Sequence, residues 1–261
     1  MPPAAPLPDL DSLWDYDRPE ASEAAFRSWL PAARASGDPD GLAQLLTQVA
    51  RAEGLQMKFD DAWRTLDEAE ASLTEATQIA KVRLLLERGR VLNSSKRRDE
   101  SKPLFREAWE LARRGHADRF AVDAAHMLAI VETGDASAEW NRTAIALAEG
   151  SEDPRAKRWL GSLYHNLAWA RHDACQAAEA LGLFEKALVA RDAPDGYVRE
   201  EIAECLLARR EEREAALHFA AAYSALRSDP WLMRDEPERL ERMRRMGGVP
   251  AAEETGSESR A

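Results

Sequence analysis

MKFDDAWRTLDEAEA (57–71), RRDESKPLFREAWELA (97–112), AAEALGLFEKALVA (177–190) and EREAALHFAAAYSAL (212–226) are variants of one segment. Each carries a small residue, then in most cases a bulky one four positions on, then alanine three later. Anchored on the first small residue, the series reads Ala62, Ser101, Ser137, Ala180 and Ala215, with spacings of 39, 36, 43 and 35 residues. A second small series, Ala50, Gly89, Ala125, Ala168 and Ala203, runs twelve residues upstream, and a third, Ala69, Ala108, Ala144, Ala187 and Ala222, seven downstream. All fifteen positions are Ala, Gly or Ser. Self-similarity at such a period marks an array of supersecondary units. Small side chains at fixed places mark helices whose backbones must approach closely.

Outward from these segments the pattern stays helical. Strand-like alternation is absent, and Ala, Leu, Glu and Arg, the good helix formers, dominate over Val and Ile. Twelve helices are expected near 19–35, 40–55, 59–73, 76–95, 99–114, 117–132, 136–149, 155–173, 176–190, 196–209, 212–227 and 235–246. Connections of a few residues force neighbours to pack antiparallel. Prolines fall mainly at the boundaries (Pro19, Pro39, Pro154, Pro194, Pro230, Pro237), whereas Pro31 should end or kink the first helix and Pro103 requires a place in a first turn. Asp17 and Glu20 are placed for a capping box.

On these residues the chain resembles the tetratricopeptide repeat (TPR) family, in a long-repeat variant, over about residues 40–227. The resemblance implies an all-α, right-handed α-solenoid of about five TPR-like helix pairs, with an extra N-terminal helix at 19–35 and a C-terminal capping helix at 235–246. The bulky site of the second helix holds Leu66, Phe105, Phe184 and Phe219, while repeat three offers Asn141 beside Trp140; the usual helix-ending proline is missing throughout. The implied organisation is a flexible segment 1–18, one domain over 19–246 and a disordered tail 247–261.

The family's geometry further implies a concave groove lined by the first helix of each pair. Carried over, it places Arg51, Arg83, Arg90, Asn93 and Arg119 over the first repeats, His126, His165, Trp169 and His172 in the middle, and Tyr197 and Glu204 at the last. Arginine forks suit carboxylates, and a Trp between imidazoles suits an apolar anchor. The competing reading is a charged surface, since 30 of the 36 basic residues are arginine. Where chaperone-binding members carry a carboxylate clamp, this chain has Thr47, Arg51, Glu87, Arg119 and Asp123; only Arg119 keeps the required charge, so no clamp is expected.

Composition bounds the rest. With 45% hydrophobic and 32% charged residues the 261-residue chain is globular, and a net charge of −11 argues against nucleic acid as a partner. No apolar run approaches a membrane span, and MPPAAPLPDL is not a secretory signal. Two cysteines, Cys175 and Cys205, make no disulfide framework and suit the cytoplasm. No phosphate loop, nucleophile elbow, HExxH, CxxC or calcium loop is present; GDPDG (37–41) and DAPDG (192–196) are turn chemistry. His165 and His172 lie two turns apart, roughly 10 Å, too far for one metal. The expectation is a non-enzymatic scaffold without cofactor or metal, binding a protein or extended peptide. Self-association and an enzyme using the His165/Trp169/His172 face are the rivals.

Overall fold

The computed structural model describes residues 7–191 and 195–250, and every regular element among them is helical. The chain divides into two compact units, one ending at Trp159 and one beginning at Leu160. The first contains α1 (Pro19–Ser36), α2 (Pro39–Leu55), α3 (Phe59–Ala71), α4 (Gln78–Ser94), α5 (Arg98–Arg114), α6 (Asp118–Val131), α7 (Gly134–Gly150) and the short α8 (Pro154–Lys157). The second contains α9 (Leu160–Asp173), α10 (Ala177–Val189), α11 (Gly196–Ala208), α12 (Glu212–Leu226), α13 (Pro230–Asp235) and α14 (Pro237–Met246). Within each unit consecutive helices pack on one another: α2 with α3, α4 with α5, α6 with α7, then α9 with α10 and α11 with α12, with α14 against α12.

The small positions are where these pairs cross. Fourteen of the fifteen are buried; Ser137 is half-buried and donates its hydroxyl to the Ala129 carbonyl at 2.6 Å. Gly89 shows why size matters, because a Cβ there would stand 2.4 Å from Phe105 Cε1. Leu66, Phe105, Phe184 and Phe219 are fully buried, each contributing roughly 1.5–3 kcal/mol of transfer free energy. Repeat three buries Asn141 instead, with its amide oxygen lacking a partner.

The turn inside a repeat is built the same way four times. Met57, Lys96, Cys175 and Arg210 adopt left-handed φ of 62°, 65°, 59° and 64°. The next residue's N–H returns to a carbonyl five back: Lys58 to Glu53, Arg97 to Leu92, Gln176 to Arg171 and Glu211 to Leu206, at 2.8–3.0 Å. This is the Schellman closure, which usually uses glycine. The turn from α6 to α7 departs from it: Glu132 is extended, and the Arg98 guanidinium donates to the carbonyls of Ile130, Val131 and Glu132.

Several boundaries differ from the sequence reading. The helix expected at 155–173 is broken at Arg158–Trp159, which is also where the two compact units divide. Asp153 caps α8 over Pro154, as Asp38 caps α2 over Pro39 and Asp229 caps α13 over Pro230. Pro31 does not end α1, whose opposite face buries Phe26, Leu30 and Ala33. Pro103 is the sixth residue of α5, beyond the first turn, with its ring toward solvent. The Asp17/Glu20 capping box does not form; Asp15 accepts from the Arg18 N–H at 3.2 Å, and its own N–H donates to Ser22 Oγ at 2.7 Å. Within the expected N-terminal segment, a 3-10 turn at Leu10–Leu13 buries Leu10, and Leu7, Leu13 and Trp14 pack on the core formed by α1–α4. At the other end the N–H groups of Gly247, Gly248 and Val249 donate to carbonyls of α14, those of Met243, Arg245 and Arg244, and Gly247 lies so close to Ala220 that a Cβ would stand 2.5 Å from its nitrogen. Residues 1–6, 192–194 and 251–261, which include a third of the expected N-terminal segment and most of the expected C-terminal tail, lie outside the described residues.

Candidate functional site

In the first unit α2, α4 and α6 present their polar faces to the stretch Leu7–Asp17. Asp9 starts the 3-10 turn, accepting from the Asp11 N–H at 3.2 Å. That turn aims the next side chains at the helices. The Trp14 indole N–H donates to Gln48 Oε1 at 3.0 Å, and its ring lies 4.8 Å from the Tyr16 ring at an interplanar angle of 3°. Phe26 meets Trp14 edge-on at 5.0 Å. The Arg51 guanidinium stands 5.4 Å from the Trp14 ring and 5.6 Å from Tyr16, within cation–π range. Asp9 pairs with Arg155 at 2.6 Å, and Asp11 with Arg119 at 3.1 Å.

Behind this layer lies a charge network. Glu87 is 3% exposed and receives Arg90 at 2.5 Å and Arg51 at 3.5 Å; Arg90 also donates to Asp123. The two buried carboxylates hold the Arg90 guanidinium charged, raising its pKa against the effect of its own burial. Arg83, 6% exposed, is pushed the other way to about 10, first by burial and then by Arg119. Its guanidinium faces the Phe120 ring at 4.9 Å, as does that of Arg119 at 4.3 Å. His126 packs 5.1 Å from Trp159, and burial lowers its pKa, so the ring is held neutral.

Arg51, Arg83, Arg90 and Arg119 are therefore brought together, but engaged by the chain's own acids and aromatics. Asn93 lies apart from the docked stretch, with Arg51, Glu87, Arg90 and Met127 around a hollow of about 220 Å³. In the second unit Glu201 accepts from the Trp169 indole N–H at 2.9 Å and lies 2.9 Å from His165 Nε2. Trp169 remains 39% exposed, 5.3 Å from His172. Tyr197 donates to Asp229 at 3.1 Å, and Arg242 of α14 donates to Glu204. Arg239 of α14 forks onto Glu200 at 2.8 and 2.9 Å. Tyr197 and Glu204 are thus each paired with a residue of the same unit, Asp229 and Arg242.

The periodicity missed Asp9, Asp11, Trp14, Tyr16, Gln48, Arg155, Trp159 and Glu201. A signal existed in the acid–aromatic alternation of DLDSLWDYD (9–17), which no loose tail needs. Among the described residues no group of three or more His, Cys, Asp or Glu could hold a metal ion, and no helix is long and apolar enough to cross a membrane.

No family model and no curated protein matches the chain. Solved structures do. BtubC (BKLC) from P. vanneervenii aligns with a TM-score of 0.54 at 14% identity, covering 94% of this chain and 95% of that one. A Podosopora anserina chain described as a kinesin light chain with nearly identical TPR-like repeats aligns with a TM-score of 0.51 at 16% identity, covering 74% of this chain and 99% of that one. At this identity the likeness concerns fold, and it agrees with the buried small positions and the recurring intra-repeat turn: the chain has a TPR-like repeat fold.

Proposed function

We propose that this chain is a protein- or peptide-binding scaffold whose first unit takes up an extended segment rich in acids and aromatics. Stacked helix pairs bury the faces between repeats and leave the first helix of each pair with an inner face free to meet a ligand. One observation carries the reading: the non-repeat stretch Leu7–Asp17 lies on α2, α4 and α6 in the manner of a bound peptide. Aromatic Trp14 is its anchor, and Asp9 and Asp11 meet arginines. Anchored aromatics dominate such contacts, while charges set register and encounter rate.

The test adds a labelled peptide of residues 7–17 to the full-length chain and to its Asp11→Ala/Trp14→Ala form, in which the resident stretch is weakened. Binding should be tighter to the double variant, and replacing Gln48 or Arg51 by Ala in that background should weaken it. A double variant that takes up no peptide at hundreds of micromolar would sink the reading.

A further inference from the structure

One carboxylate stands where three guanidiniums converge. Asp11 lies 3.1 Å from Arg119, 3.5 Å from Arg155 and 3.6 Å from Arg83, so only the first is at hydrogen-bond distance. Asp9 draws Arg155 aside at 2.6 Å. Arg83 is 6% exposed, and its Nε has no partner. Beside the cluster opens a cavity of about 380 Å³ lined by five arginines (Arg51, Arg83, Arg119, Arg155 and Arg158) and two acids, Asp11 and Asp123. The lining therefore carries a surplus of three positive charges in a chain whose net charge is −11.

A single carboxylate, with one charge and two oxygens, cannot satisfy three forks at once. A phosphoryl group carries about −1.5 to −2 charge and three acceptor oxygens, and planar guanidinium forks match it. We propose that Arg83, Arg119 and Arg155 form a phosphoryl-binding site and that Asp11 occupies it as an internal surrogate. The phosphoryl group arrives on a side chain of a partner segment or on a small molecule, and either source displaces the Asp11 carboxylate. The low pKa of Arg83, about 10, is consistent with a buried guanidinium whose counter-charge is incomplete. The site stands on the charge and geometry of the cluster and does not require the peptide reading above.

Calorimetry on the full-length chain tests it. Asp11→Asn keeps the shape of the side chain and the Leu10 and Trp14 anchors while removing the charge. Pyrophosphate should then bind at least about tenfold more tightly than to the unaltered chain, at constant ionic strength. Adding Arg119→Ala or Arg155→Ala should abolish that gain, while Arg114→Ala, on an exposed helix end, should leave it. Because loss of buried Arg83 could unfold the chain, the half-buried Arg119 and Arg155 carry the test, with the thermal melt as a check on folding. A second arm compares the 7–17 peptide bearing phosphoserine at position 11 with its serine counterpart. A gain confined to the phosphopeptide identifies a protein source, and a gain with pyrophosphate or inorganic phosphate alone identifies a small molecule. The proposal is overturned if neither arm gains, or if the gain survives loss of Arg119 and Arg155 together.

Discussion

Asp11 and Arg119 stand 3.1 Å apart although 108 positions separate them in sequence. The pair closes a contact between a stretch outside every repeat and the first turn of α6. Both side chains are partly solvated, so the ion pair itself contributes roughly 0–1 kcal/mol. The burial of Leu10 and the packing of Trp14 hold the stretch, and the charges decide where it lies.

Trp14→Ala should therefore cost about 1–3 kcal/mol in urea unfolding and strip hydrogen-exchange protection from the Leu10–Leu13 turn. Asp11→Asn should cost under about 1 kcal/mol. Equal costs for the two would show that charge, not packing, seats the stretch.

Gly89→Ala should destabilise despite alanine's better helix propensity. The new methyl would stand 2.4 Å from the Phe105 ring, which is fully buried and has nowhere to go. Overpacking of this kind costs about 1–3 kcal/mol, against a propensity gain of roughly 0.5–1. Phe105→Leu in the same chain should recover part of the loss, and the double-mutant cycle measures the coupling.

Lys96 and Arg210 pay a steric cost at φ of 65° and 64°. Glycine relieves a left-handed strain of about 1–2 kcal/mol but adds freedom to the unfolded chain. Lys96→Gly and Arg210→Gly should each come out neutral to about 1 kcal/mol more stable by chemical denaturation. A clear loss at both would mean that these side chains are held by contacts, not merely tolerated.

The pH response of His126 has a definite sign. Burial lowers its folded pKa below the ordinary 6.5, with Asp123 opposing and Arg90 reinforcing the shift. The unfolded chain then binds the proton more readily, so this contribution is full above pH 6.5 and is lost as pH falls through the folded value. His218 shifts in the same direction, chiefly by burial and then through Arg199. Between pH 7.5 and 5.5, His126→Gln should lose less stability than the unaltered chain, and adding His218→Gln should flatten the profile further. A steeper profile in His126→Gln would reverse the assigned sign.

What the sequence by itself determined is the repeat. Ala62, Ala69 and Ala168 and their counterparts are demanded by the crossing of neighbouring helices, a requirement written in residue size at fixed spacing. The burial of those positions in each unit follows from composition and period alone. The turns at Met57, Lys96, Cys175 and Arg210 were not legible, because their left-handed conformation is imposed by the closing N–H bonds and carries no glycine to announce it. The family resemblance implied an inward place for Arg51, Arg83, Arg90 and Arg119, but it carried nothing of their partners. Periodicity reports which face of a helix turns toward its neighbours; it cannot say which distant acid arrives at that face. That Asp11 meets Arg119 and Arg155, and that Arg239 and Arg242 close over Glu200 and Glu204, was decided only in three dimensions, where Coulomb attraction acts on separations in space and not in sequence.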